Sequence, residues 1–302
     1  MKSPTNIGMI FPAYGAEYIQ MAAVAAKSAR EAGNTCPIHL HTNIREAASS
    51  AVLQGLFDKI IITDEPSNKC LFVKIEADKR SPFTKTIVMD ADQLVLQKID
   101  DALDILLDKF DLCVPLRVTP ARTRYDLPGL ASQEQFSHWN TGMFGFSKTE
   151  ASRELFETWR GIHIEENWKA DQPSFAKAVF LCPEARVLGL DISWGWMRKY
   201  HSLARLIKDQ IKIEHYVDVN HSPKAARDVL IINAQLHKES SVGRDTPLCL
   251  SHRSKRRYRF IASRLYDNPM TPIMRRSYNA IKPFLGIKRR IKLLHKTSAW
   301  KD

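Results

Sequence analysis

"SPFTKTIVMDADQLVLQKID", residues 81–100, drives an apolar run (Thr86 to Met89) into two carboxylates, Asp90 and Asp92, with one alanine between them. A short apolar run bounded by charged and turn-forming residues reads as a buried strand. Upstream, "NIGMIF", "PIHLHT" and "DKIIIT" have the same strand length, and downstream "DLCVPL" repeats it. Between the first four runs lie segments of helical spacing, such as Tyr18 to Ala32 and Cys70 to Lys79. Alternation of this kind predicts βαβ units, hence an α/β fold with a mostly parallel central sheet covered by helices. Ligands of such sheets sit at the carboxyl ends of the strands. Asp90 and Asp92 stand at one of those ends.

Farther along, residues 116–138 are polar and irregular, with Pro120, Pro128 and Gly129, a length of loop that predicts a substrate lid. "WNTGMFGFS" (139–147) reads as another strand, and Glu150 to Arg160 as an amphipathic helix. "ADQPSFAKAVF" reads as a helix start, with Asp171 near the N-cap and Pro173 in the first turn. "DVLII" (228–232) reads as the last strand.

The 302 residues suffice for one large α/β domain, and 44% hydrophobic content is that of a globular core. Five cysteines without any CxxC pair support neither a disulfide framework nor a structural zinc site. No signal peptide or membrane span is legible, so a cytoplasmic protein is expected. The net charge of +12 is unevenly placed: 15 Lys and Arg follow from Arg253 onward, against Asp267 and Asp302 alone. "RSKRRYRF", "MRRSY" and "LGIKRRIKLLHKTSAW" interleave these cations with apolar and aromatic residues, a composition suited to the face of an anionic membrane. Nucleic acid attracts the same side chains and is the disfavoured alternative, and a solvated tail is the third. Residues 251–302 are thus set apart as a basic, aromatic-rich tail, peripheral on a membrane, behind a catalytic domain of residues 1–250.

Two carboxylates side by side in a partly buried loop repel each other unless a cation lies between them. Oxygen ligands favour Mn2+ or Mg2+, ions that keep coordination positions for substrate phosphates. A strand running into D-x-D fits two enzyme classes: nucleotide-sugar glycosyltransferases, where the pair holds a metal on the diphosphate, and haloacid-dehalogenase-like phosphatases, with Asp90 as nucleophile. In the phosphatases the motif follows the first strand, whereas three strands precede it here. A non-enzymatic module binding anionic surfaces is the remaining rival.

Taken together, "KIEADKRSPFTKTIVMDADQLVLQKIDDAL", "WNTGMFGFS" and "ADQPSF" resemble the retaining glycosyltransferases of family 8, which include glycogenin and bacterial lipopolysaccharide sugar transferases. The resemblance covers roughly residues 5–240. It implies a GT-A nucleotide-diphospho-sugar transferase fold, with Asp90 and Asp92 on Mn2+ (or Mg2+) bridging the phosphates of a nucleoside-diphosphate sugar, most simply a UDP-sugar. It implies Lys74 at the donor diphosphate, Asn140 and Gly142 at the donor sugar, and Asp171 with Gln172 beside the anomeric carbon, in a transfer that retains configuration. "LDISWGW" (190–196) then offers Trp194 or Trp196 to a glycan or glycolipid acceptor. Where the family shows acidic and amide residues that recognise uracil, this chain has "PAYGAEY", leaving Tyr14 or Tyr18 to stack on a base. The family's third metal ligand is a His ending the last strand. Here "VLIINAQLHKES" puts Asn233 at that place and His237 four residues later; either can ligate, His237 better as an imidazole, and His221 is a distant third choice.

Overall fold

The structure is a computed structural model that describes residues 7–64, 70–117, 126–130, 136–197, 210–216, 222–239 and 247–262. Its strands are β1 (Ile7–Pro12), β2 (Ile38–Thr42), β3 (Lys59–Ile62), β4 (Lys85–Met89), β5 (Gln93–Val95), β6 (Leu112–Pro115), β7 (Met143–Ser147), β8 (Val187–Leu190), β9 (Trp196–Met197) and β10 (Ile213–His215). Its helices are α1 (Ala16–Glu31), α2 (Ala51–Gln54), α3 (Cys70–Ile75), α4 (Ala77–Arg80), α5 (Asp100–Leu106), α6 (Glu150–Glu165), α7 (Asp171–Leu181), α8 (Pro223–Glu239) and α9 (His252–Ala262). Seven strands form the central sheet in the order β3-β2-β1-β4-β7-β6-β8, and β5-β10-β9 form a small second sheet. Within the central sheet the pairings are parallel except those of β7 with β4 and β6. The mixed α/β sheet expected from alternation is present, with the apolar run before Asp90 near its centre.

Alternation along the strands splits the apolar residues between two cores, because successive side chains of a strand point to opposite faces. Met9 and Phe11 of β1, and Ile87 and Met89 of β4, join α1, α5, α8 and α9 on one side. Ile10, Val88, Phe144 and Phe146 meet Phe156 and Trp159 of α6 and Phe175 of α7 on the other. Trp159 is fully buried, and its indole donates to the Asp171 carbonyl at 3.2 Å and to Ser174 Oγ at 3.1 Å. This core therefore sets where α7 begins. The "SPF" before β4 has a local reason as well: Phe83 lies across Gly8 of β1, where any Cβ would stand 2.3 Å from the ring.

Two expectations are corrected. "DVLII" is not a strand: it lies inside α8, whose buried positions Ala225, Ala226, Val229, Ile232 and Leu236 recur at helical spacing while Ile231 is half exposed. Four consecutive apolar residues fit either period, and the flanking alanines decide. The tail boundary near residue 250 also moves, since α9 is built into the body. Its Tyr258 and Ile261 are fully buried, and the Tyr258 hydroxyl donates to Glu17 of α1 at 3.0 Å. Residues 263–302, including "MRRSY" and "LGIKRRIKLLHKTSAW", lie outside the described residues, as do most of the expected lid and His221. Among the described residues no helix is long and apolar enough to cross a membrane.

Candidate active site

Asp90 follows β4 directly, and its N–H donates to the Gly142 carbonyl at 2.7 Å, tying the strand end to the entry of β7. From the other side Tyr216 clamps the same turn: its N–H donates to Asp92 O at 3.1 Å and its hydroxyl to Ala91 O at 3.4 Å. Tyr216 is held there because β10 pairs antiparallel with β5, placing His215 opposite Gln93. That pairing brings the His215 ring to the acidic pair, with Nε2 3.2 Å from Asp92 Oδ1. Asp90, Asp92 and His215 offer ligand atoms that all lie within 4.8 Å of one another.

On the opposite side stands Lys74 of α3, 3% exposed. Its ammonium reaches Asp90 Oδ1 at 2.8 Å and Asp171 Oδ2 at 2.7 Å. Asp171 also accepts from Thr141 Oγ1 at 2.8 Å. The carboxylate of Asp171 therefore caps no helix, and α7 has no side-chain cap. Gln172 turns elsewhere: Arg117, just past β6, donates from Nη1 to Gln172 Oε1 at 2.6 Å. Asn140 is buried and braced, its amide donating to the Gly195 carbonyl at 3.2 Å and accepting from Gly142 N–H at 3.2 Å.

The electrostatics follow from burial. Burial raises the Asp90 carboxyl, and its neighbours Asp92 and Asp171 add to this against the opposing pull of Lys74, leaving it at about 6. Burial acts the same way on Asp92 but His215 outweighs it, so Asp92 is held below the usual carboxylate range. His215 mirrors this: burial disfavours its charge, Asp92 restores it, and its pKa ends raised. Burial likewise opposes the charge of Lys74, and Asp171 and Asp90 together overcome it. Three carboxylates thus share one lysine and one histidine, an anionic surplus that a divalent cation would neutralise. Two carboxylate oxygens and one imidazole form a donor set suited to Mn2+.

Several site expectations change place. The third potential ligand beside Asp90 and Asp92 is His215, and neither Asn233 nor His237 lies with them: both are on α8, where the buried Asn233 amide accepts from Leu250 N–H at 2.8 Å and His237 is exposed. The physical reason is the helix itself, which carries both residues away from any strand end. Trp194 and Trp196 are buried, Trp194 under Lys212 at 5.2 Å and Trp196 beside Asn140 and Arg117, so neither shows a face to an acceptor. Tyr14 is buried with its hydroxyl on Thr63, whereas Tyr18 is exposed at the start of α1. Lys74, Asn140, Gly142 and Asp171 lie around the acidic turn, whereas the Gln172 side chain bonds Arg117. Arg117 and Thr141 were not anticipated: Thr141 was hidden inside "WNTGMFGFS", and a lone arginine in a polar stretch carries no spacing signal.

No protein-family model and no curated protein matches the sequence. Solved structures do resemble the fold. Galactosyltransferase LgtC, solved with donor and acceptor sugar analogues, is similar over 78% of this chain and 97% of its own, at 15% identity and a TM-score of 0.55. The glycosyltransferase GlyE of Streptococcus pneumoniae TIGR4 is similar over 76% of this chain at 16% identity and a TM-score of 0.51. This chain spans 63% of the GlyE chain, less than two thirds of it. An active-site mutant of LgtC aligns equally, at 14% identity and a TM-score of 0.54. The chain has the GT-A type of fold found in these glycosyltransferases.

Proposed function

We propose that this protein is a metal-dependent glycosyltransferase that moves a sugar from a nucleoside-diphosphate sugar, a UDP-sugar in the first instance, to a glycan or glycolipid acceptor with retention of configuration. One observation carries the reading: in a GT-A fold, Asp90, Asp92 and His215 converge at the carboxyl end of a central strand while Lys74 ties that cluster to Asp171, next to Gln172. Fold alone would not suffice, since one fold hosts many chemistries.

Asp90, Asp92 and His215 would hold Mn2+ or Mg2+, which supplies Lewis-acid neutralisation of a leaving diphosphate. The remaining work falls to the chain. Lys74 keeps Asp171 ionised and fixed, so that its carboxylate faces the donor sugar without needing to capture a proton. Gln172 would present its amide oxygen to developing positive charge at the anomeric carbon once that oxygen leaves Arg117, which now donates to it at 2.6 Å. One of the similar structures is an active-site mutant of LgtC in which a glutamine becomes glutamate, in keeping with a glutamine at such a centre. Exposed Tyr18 is the better candidate to stack on the base. The acceptor hydroxyl passes its proton to the departing phosphate oxygen on the same face, so no strong base is required. The basic tail would dock on an anionic membrane and favour a lipid-borne acceptor.

The test is thermal-shift screening of nucleoside diphosphates and their sugars with and without Mn2+, paired with slow hydrolysis of the stabilising UDP-sugar. Stabilisation that needs both Mn2+ and nucleotide, and that vanishes in Asp92→Asn, supports the reading. Phosphate release from a phosphomonoester, lost in Asp90→Asn, would replace it with the phosphatase. Indifference to both substitutions would leave only an anion-binding module.

A further inference from the structure

Gln93 follows the acidic pair directly and is wholly buried, yet neither its Oε1 nor its Nε2 has a hydrogen-bond partner. The same is true of His215 Nδ1, the ring nitrogen that faces away from Asp92. A buried polar group left without a partner destabilises the fold. The adjoining residues of β5, Leu94 and Val95, show that apolar side chains pack here without such a cost. Position connects the two orphans: Gln93 and His215 are opposite each other in the β5–β10 pairing. Both also flank one bare backbone position, because a Cβ on Gly142 would stand 2.8 Å from His215 Nδ1 and 2.9 Å from Gln93 Nε2. Gly142 leaves the space in which the ring and the amide can meet.

We infer that Gln93 is a positioning residue for His215: its amide oxygen accepts the Nδ1 proton of the ring and so presents the Nε2 lone pair to a cation between Asp90 and Asp92. The inference rests on the metal-binding reading above. Metal-bound histidines nearly always donate their other ring N–H to a fixed acceptor, and loss of that acceptor weakens metal binding some 10–100-fold. His215 Nε2 already points to the acidic pair, 3.2 Å from Asp92 Oδ1, so that Nδ1 is the ring atom left for Gln93 to hold. The amide needs only a half-turn about its last torsion to offer oxygen where nitrogen is now placed, and the two atoms are interchangeable in shape.

The experiment is Mn2+ titration followed by electron paramagnetic resonance on wild type, Gln93→Leu and Gln93→Glu, with thermal melting of each protein free of metal. Nitrogen-resolved NMR of the Mg2+-loaded proteins reports the His215 Nδ1 proton. The expected signature is split. Gln93→Leu melts at or above the wild-type temperature without metal, because two unsatisfied groups are gone, yet its Mn2+ dissociation constant rises by roughly tenfold or more. Gln93→Glu, which keeps an acceptor, binds Mn2+ within about twofold of wild type and retains the slowly exchanging Nδ1 proton. Unchanged Mn2+ affinity in Gln93→Leu, or equal loss in both variants, overturns the inference while leaving the proposed function standing. A wild type that binds no divalent ion overturns both.

Discussion

The two sides of the acidic turn are built differently. On the α3 side every charge has a partner: Lys74 touches Asp90 and Asp171, and Thr141 completes Asp171. On the β10 side partners are missing, with Gln93 and His215 Nδ1 both buried and unbonded. One wall is complete as it stands; the other, on the inference above, would be completed by a cation. A substitution on the first wall should therefore damage the fold, and one on the second should damage metal affinity first.

The largest effect is expected on the complete wall. Lys74→Met leaves Asp90 and Asp171 buried without their cation, and removing one member of such a cluster costs about 3–5 kcal/mol. Chemical denaturation should show that loss, and added Mn2+ should recover part of it by replacing the missing positive charge. If Lys74→Met is as stable as wild type, the contrast between the walls fails. Next comes pH. Proton and metal compete for the Asp90 carboxylate, whose pKa is raised to about 6. Asp90 and His215 must both be deprotonated to bind, so Mn2+ affinity should begin to fall, by about tenfold per unit, below the raised pKa of His215, and fall more steeply once the pH drops below that of Asp90. Isothermal titration between pH 5 and 8, values chosen to bracket the Asp90 pKa, checks the slope. A similar loss, roughly tenfold, is expected of Gly142→Ala, since the new methyl would lie 2.6 Å from His215 Cε1 and push the ring from its place. Its melting temperature should move less than that of Lys74→Met. The smallest effect is expected on α9: Tyr258→Phe deletes the bond to Glu17 and should cost about 1 kcal/mol. No change there would return α9 to the tail.

Much of the fold was legible because it is local. The runs that became β1, β2, β3, β4 and β6 announce themselves by length and bounding residues, and the Asp90–Asp92 pair ends one of them. Asp171 and Gln172 were found by resemblance, but the use of Asp171 as a lysine partner was not visible, because an aspartate at a helix start reads first as a cap. His215 escaped for a different reason. It ends a strand of three residues, "IEH", that exists only through pairing with β5 and β9 and is too short to carry a period. The apolar run of α8 took its place in the sequence reading because helix and strand patterns coincide over four residues. Gln93 carries no spacing signal of its own in the sequence; its meaning needs the register of β5 against β10.

The central claim is that Asp90, Asp92 and His215 grip one divalent ion that in turn clasps a diphosphate. Crystals soaked with manganese and UDP test it directly through anomalous scattering at the manganese edge. The account predicts a single strong peak bonded to both carboxylates and to His215 Nε2, with phosphate oxygens completing the shell. A site without that peak, or with the nucleotide bound elsewhere, would contradict it.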